Sequence, residues 1–337
     1  MPNDVIIDRI LSPLQAQEDE PSSFQEESSI RPQLFLDYPG QDFVKENLRT
    51  YVSASKMRKQ PLDHVILHGP PGLGKTTLAQ IIANELGVAF ISASGPTIDK
   101  PGDLAGILAG LEKGSVLFID EIHRLNIHVE EVLYAAMEDF AIDIVVGQGP
   151  TARSMKIDLS PFTLLGATTK LSLLSRPFLS RFGIQEKLEY YDEAALAQII
   201  ARSAGILAIG IDQEACLALA TRARGTPRIA NRLLKRAWDF ALVANSSQIT
   251  IKILNAALAR LDVDKLGLDR TDRQILAVLD TRFKGGPVGL EALAVSLGEE
   301  KATIEEVYEP FLVHRGFLAR TARGRMLTPK GKAHLTL

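Results

Sequence analysis

Apolar residues along this 337-residue chain fall into two patterns. Short apolar runs dominate the first half: Val65-Ile66-Leu67, Val88-Ala89-Phe90-Ile91, Ser115 to Ile119 and Phe162 to Ala167, with a further strand expected at Ile184 to Tyr190. Runs of this length suit strands buried on both faces. Between them, Thr77 to Ala83, Pro101 to Leu111 and Val129 to Phe140 carry helical spacing, with Val132, Leu133, Ala136 and Met137 on one face. Strands alternating with helices predict a parallel sheet. Ile142 to Val146 and Ser154 to Leu159 flank Gly147-Gln148-Gly149-Pro150 and predict a hairpin. Its first arm sets adjacent apolar residues where only one face can be buried, which suits either core packing or a docked partner.

From Asp192 to about Asp262 the pattern is helical throughout, with helices around Leu196, Ile199 and Ile200, around Ala215 to Ala220, and from Ile229 to Ala244. The last stretch predicts three helices and a ribbon. Helix one spans about Arg270 to Phe283, and helix two carries Leu290, Leu293, Ala294 and Leu297 at i, i+3, i+4 and i+7. Helix three starts near Thr303 with a kink at Pro310. The ribbon runs from Phe317 to Leu327 and has the form of a wing. The expected division is a tail (1–29), a parallel-sheet domain (30–191), a helical domain (192–262) and a winged-helix domain (263–337).

Composition sharpens this picture in four places. Hydrophobic content of 46% and charged content of 23% are those of an ordinary globular protein. The most apolar long stretch, Ala194 to Ile211, is interrupted by Gln198, Arg202 and Ser203, so no membrane span is expected. One cysteine, Cys216, excludes an intramolecular disulfide framework and fits a reducing cytoplasm. Net charge is only −3, but residues 1–30 hold seven acids against Arg9, while residues 311–337 hold six Arg/Lys and no acid. The first 29 residues mix those acids with Pro, Ser and Gln and cannot bury enough surface to fold alone. The basic end suits a polyanion.

Gly69-Pro70-Pro71-Gly72-Leu73-Gly74-Lys75-Thr76 reads G-x-x-x-x-G-K-T between a strand and a helix. Gly72 and Gly74 allow backbone N–H groups to wrap phosphates, and Thr76 and Thr77 open the helix whose N-terminus adds a positive dipole end. Lys75 would reach the β/γ-phosphates and Thr76 would ligate Mg²⁺. Asp120 and Glu121 follow an apolar strand, at the end where parallel sheets bind ligands. Asp120 would hold Mg²⁺ through its waters and Glu121 would orient the attacking water. Thr169 ends the strand Phe162 to Thr169, which would lie between the carboxylate strand and the phosphate loop and act as a γ-phosphate sensor. His64 and His68 flank a strand, where no metal site is expected; His123 reads as a neighbour of the carboxylates.

The phosphate loop, Asp-Glu, Gly166-Ala167-Thr168-Thr169 and Arg181-Phe182-Gly183 resemble an AAA+ ATPase: an α/β P-loop core with an all-α lid and, here, a winged-helix domain. Gly225-Thr226-Pro227-Arg228, Gly285-Gly286-Pro287 and Arg320 to Arg325 resemble one branch of it in particular, the RuvB family of Holliday-junction branch-migration motors, over residues ~30 to ~330. The resemblance implies ATP and Mg²⁺ as cofactors, a hexameric ring, Holliday-junction or duplex DNA as substrate, RuvA as a partner docking on the hairpin 142–158, and the resolvase RuvC in a larger complex. It implies Arg181 as an arginine finger acting on the neighbouring subunit, Arg228 as a second sensor, and Ile30, Arg31 and Tyr191 in the adenine pocket. Glu138, Asp139 and Phe140 match a nucleotide-adjacent segment. Arg320 and Arg325 match DNA-contacting positions; alternate arginines on the ribbon add Arg323 as a further phosphate contact.

Lys170 stands where the family has arginine, and Leu179 replaces another arginine, while Arg176 appears before Pro177. Asp-Glu-x-His also occurs in two-lobed helicases, but the second half offers helices instead of a second sheet domain. A clamp-loader-like switch and a DNA-binding regulator with a vestigial nucleotide site are the rivals. The intact Lys75, Asp120, Glu121 and Arg181 argue against the regulator, and no pore loop of an unfoldase is evident.

Overall fold

A computed structural model of the chain describes residues 29–146 and 153–336. The acidic tail and the hairpin tip lie outside these residues.

The first domain is built on a five-stranded parallel sheet. Its elements are α1 (Asp42–Arg58), β1 (Val65–His68), α2 (Lys75–Leu86), β2 (Phe90–Ser94), α3 (Pro101–Ala109), β3 (Val116–Asp120), α4 (Ile127–Asp139), the hairpin β4 (Ala141–Val146) and β5 (Arg153–Asp158), β6 (Thr163–Thr168), α5 (Arg176–Leu179) and β7 (Ile184–Lys187). Strand order is β2-β3-β6-β1-β7. The sensor strand therefore does lie between the carboxylate strand and the phosphate loop. Ile119 pairs with Gly166 and His68 with Thr168, so the strands end level with one another. The central strands are apolar on both faces because both are covered. α1 and α2 pack one side through Leu48, Leu78 and Ile82, and α3 and α4 the other through Leu104, Val129 and Leu133.

The helical domain follows as α6 (Glu193–Ile206), β8 (Gly210–Ile211), α7 (Gln213–Arg222), α8 (Pro227–Val243), β9 (Gln248–Ile249) and α9 (Ile251–Arg260). The expectation of helix throughout needs one correction: Gly210 and Ile211 pair in parallel with Gln248 and Ile249, a two-residue clip between helical pairs. Asp192 caps α6 by accepting from Ala195 N at 2.7 Å. Leu196, Ile200, Leu233 and Leu254 share one core with α1 and α2, so this domain closes directly on the first.

The third domain contains α10 (Arg270–Thr281), α11 (Leu290–Leu297), α12 (Lys301–Thr303), a π-turn (Ile304–Tyr308), α13 (Glu309–His314), the wing strands β10 (Leu318–Thr321) and β11 (Gly324–Leu327), and α14 (Pro329–His334). The break expected at Pro310 is realised one turn earlier. The π-turn lets the ladder absorb the proline, whose missing N–H would otherwise cost a bond. Leu276, Leu279, Leu293, Leu312 and Phe317 form its separate core.

Candidate functional site: a nucleotide pocket and its neighbours

The phosphate loop is held in a shape that only glycine permits at two points. Gly69 has φ 144°, and a Cβ there would fall 2.4 Å from Leu188 O. Gly74 has φ 96°, and its Cβ would fall 2.8 Å from Tyr38 Oη. Lys75 Nζ donates to Gly69 O at 2.8 Å and Pro70 O at 2.9 Å, which holds the ammonium over the loop. Burial pushes the Lys75 pKa down, and Glu121 and Asp120 pull it back up.

At the end of β3, Asp120 Oδ1 accepts from Glu121 N at 2.9 Å. Glu121 has φ 49°, a left-handed turn that rotates its side chain away from the strand direction. Thr169 Oγ1 donates to Glu121 Oε2 at 3.3 Å, so the sensor strand touches the carboxylate itself. Thr168 Oγ1 accepts from Lys170 N at 2.9 Å and also lies 2.9 Å from His123 Nδ1. Burial pushes the His123 pKa down, with Glu121 opposing; its Nδ1 lies 3.4 Å from Glu121 Oε2.

Ile30, Arg31, Gly72, Gly74, Lys75, Thr76, Thr77, Asp120, Glu121, Tyr191 and Arg228 line one cavity of about 570 Å³ between the first two domains. Arg228 enters through the start of α8, where its backbone N donates to Gly72 O at 3.4 Å. Three further lining residues, Tyr38, Arg202 and Asn231, had no sequence signal that singled them out. Tyr38 and Tyr191 share a hydroxyl–hydroxyl bond of 2.8 Å, and both donate to Leu73 O. Arg202 Nη1 donates to Ile30 O at 2.6 Å. Asn231 Oδ1 is buried with no donor among the described residues.

The geometry separates one group of expected residues from this cavity. Glu138, Asp139 and Phe140 do not line this chain's own cavity. Phe140 packs its ring on Phe162 and His64 beneath the sheet, because Phe140 follows the last turn of α4 in a left-handed conformation. Glu138 instead pairs with Arg181 at 2.7 Å, and Arg181 is likewise absent from the cavity. Its guanidinium lies over the Tyr134 ring, 4.7 Å from the centroid, and donates to the Tyr134 hydroxyl.

On the wing, the arginines do not form one free basic edge. Arg320 and Arg325 face each other across the ladder, and both bond Glu309, which is 3% exposed. Glu305 adds a second acid, 2.8 Å from Arg320. Arg325 is 12% exposed at its side chain, while Arg323 sits exposed in the turn between the strands. The hairpin is similarly divided: Ala141 and Ile142 are core, whereas Met155 is exposed.

His64 is a core group. Its Nδ1 accepts from Leu164 N at 2.8 Å, and its Nε2 lies 3.2 Å from Met137 O. Among the described residues no cluster of three or more His, Cys, Asp or Glu could hold a metal by itself, and no helix is long and apolar enough to cross a membrane.

With the pocket and the three domains in place, comparison with known proteins is decisive. Residues 30–188 match the Holliday junction DNA helicase RuvB P-loop domain, 191–264 the RuvB AAA lid domain, and 265–336 the RuvB C-terminal winged-helix domain. The chain belongs to the RuvB family. The RuvB Holliday junction branch migration motor of Thermotoga maritima is 49% identical, with a TM-score of 0.83, covering 91% of this chain and 98% of that one. A lysine-to-arginine mutant of Thermotoga maritima RuvB gives 50% and 0.84 over the same shares, and an arginine-to-alanine variant gives 49% and 0.82. As a RuvB-family protein the chain is a P-loop ATPase, with a parallel-sheet core, an AAA lid and a winged-helix domain of the branch-migration motor type.

Proposed function

We propose that this chain hydrolyses ATP at a pocket completed by a neighbouring copy, and that a hexameric ring of such copies drives duplex DNA through Holliday junctions. One observation carries the trans arrangement. Lys75, Asp120, Glu121 and Arg228 line the chain's own cavity and Thr169 reaches it through its bond to Glu121, whereas Arg181 is held away from all of them on α4. A guanidinium with no route to its own γ-phosphate serves a neighbour's. An arginine finger of this kind is worth ~10³–10⁵ in rate.

In the cycle, Glu121 orients a water toward the γ-phosphate and Thr169 fixes the direction of its carboxylate. Lys75, the N-terminus of α2 and Arg228 take up charge on the phosphates. Ile30, Arg31 and Tyr191 hold the adenine side. Thr76 and Asp120 are the hard-oxygen pair that would hold Mg²⁺, an ion that keeps few protein ligands and leans on phosphates, and that would supply neutralisation of the phosphate charge. Asp120 fits this role because Oδ2 accepts no hydrogen bond from a described residue. Glu138 and its neighbours act beside Arg181, toward the adjoining subunit's nucleotide. The wing, with Arg320, Arg323 and Arg325, takes the DNA backbone, which suits movement on any sequence. The hairpin 142–158 docks RuvA, RuvC joins the larger complex, and the setting is cytoplasmic.

The test is branch migration of a synthetic four-way junction with ATP, Mg²⁺ and RuvA, comparing wild type with Arg181→Ala. Arm separation by wild type alone, with ATP still bound by the variant, is the expected result. Hydrolysis by both without movement would leave the ATPase and remove the motor reading in favour of a switch.

A further inference from the structure

We infer that Tyr134 and Glu138 are positioning residues for Arg181, forming a cradle that presents its guanidinium at the subunit surface. The inference rests on the trans-finger reading above. Tyr134 and Glu138 are four residues apart on α4, so they lie on one helical face, and that face meets the loop carrying Arg181. The guanidinium stacks over the phenol ring at 4.7 Å, donates to its hydroxyl, and pairs through Nη2 with Glu138 Oε2 at 2.7 Å.

Two features separate this from an ordinary surface ion pair. Arginine loses considerable rotamer freedom when fixed, and a finger must arrive in one orientation; a ring face restricts the plane of the guanidinium, which a carboxylate alone does not. The hold is also incomplete. Glu138 engages Arg181 through one nitrogen at an exposed position, and Arg181 Nε is buried with no acceptor among the described residues. A fully satisfied arginine would resist transfer, whereas this one gains acceptors by moving onto phosphate oxygens. The ring fixes where the finger points, and the carboxylate is the partner it exchanges. Glu138 thereby acquires a role that its sequence position, apart from the nucleotide cavity, leaves unexplained.

The experiment measures DNA-stimulated ATPase kinetics of the full chain for Tyr134→Phe, Tyr134→Ala and Glu138→Gln, alone and with Arg181→Ala. A misaimed catalytic group loses about 10- to 100-fold in kcat, so Tyr134→Ala should lose that with KM for ATP unchanged. Tyr134→Phe, which keeps the ring and the fold, should lose only a few-fold. In the Arg181→Ala background, none of the substitutions should reduce the residual rate further. A loss of equal size with and without Arg181 would overturn the cradle, as would an unchanged kcat for Tyr134→Ala. Mixing Arg181→Ala with Lys75→Ala subunits tests the underlying reading separately. Recovered activity supports a finger acting in trans, and none overturns it without touching the coupling measured in the double variants.

Discussion

Lys170 and Glu306 lie 2.6 Å apart, although one follows the sensor strand β6 and the other belongs to the π-turn of the winged-helix domain. Through Lys170 N, the same residue bonds Thr168, which holds His123 against Glu121. Where the family resemblance leads to arginine, this chain has a lysine, a single-point donor able to bridge without a bidentate fork. Both side chains are about half exposed, so the pair adds little stability. Its effect is expected on coupling. Glu306→Lys should leave thermal stability and DNA-free ATPase unchanged and reduce stimulation of the ATPase by duplex DNA, and Lys170→Glu combined with Glu306→Lys should restore it. Unchanged stimulation in Glu306→Lys would show the contact to be incidental.

The wing makes a second, discriminating case. Arg323 is exposed, and none of the described ion pairs includes it. Arg323→Ala should weaken duplex DNA binding uniformly across sequences, reduce the salt slope by about 1, and leave stability alone. Arg325→Ala removes one of the two partners of the buried Glu309 and should destabilise the winged-helix domain by about 1–3 kcal/mol, since the hydrogen bonds to Oε2 are lost while Arg320 still pairs with the carboxylate. Urea titrations and salt-dependent binding isotherms separate the two.

Acid should weaken the fold through its histidines. Burial pushes the pKa of His64 down from 6.5, more than the Met137 bond and Asp63 push it up. The folded state therefore favours the neutral ring, and between the lowered folded value and 6.5 the unfolded chain binds more protons. Stability is then complete above 6.5 and declines as pH falls below it. His68, His123 and His314 shift the same way. His64→Asn should cost about 1–2 kcal/mol at pH 7.5 for its weakened hydrogen bonds. It should also show a shallower loss between pH 7 and 5 than wild type, read from urea midpoints at each pH.

Arg224 ties the helical domain to the winged helix. It pairs with Asp269 at 2.8 Å and Asp272 at 2.5 Å, donates to Gly267 O, and lies over the Phe311 ring. Asp272 is fully buried, and burial drives its pKa up to about 7, against the pull of Arg224. Its raised value means that this carboxyl's contribution is present below its unfolded value of 3.8 and is lost as pH rises toward 7. Arg224→Ala should cost about 3–5 kcal/mol at pH 8 and less at pH 5.5, where Asp272 is protonated and needs no partner. Denaturant midpoints at the two pH values decide it.

Sequence reading located whatever is written in consecutive residues. The phosphate loop and the carboxylates after β3 follow from local spacing and the rule that parallel strands end at the ligand, whereas the place of β6 between β3 and β1 is an expectation that rests on the family resemblance. Contacts between distant stretches were not legible. Nothing near Arg181 in the chain indicates Tyr134 or Glu138, and nothing near Arg325 reveals that Glu309 occupies its charge. Tyr38 reaches Tyr191 across 153 residues. Spacing places a residue on a face, and packing alone decides what that face meets.

The Tyr38–Tyr191 pair has a mechanical meaning. Tyr191 is where the first domain passes into the second, and its hydroxyl is fastened to Leu73 within the phosphate loop, while its backbone N bonds Gly225 O just ahead of Arg228. The junction is thus a fulcrum set beside the nucleotide. Close to a fulcrum a rotation shifts atoms least, so a turn of the lid would leave the phosphate loop in register with Lys75. Far from it, at the wing carried beyond Arg224, the same rotation would sweep the longest arc.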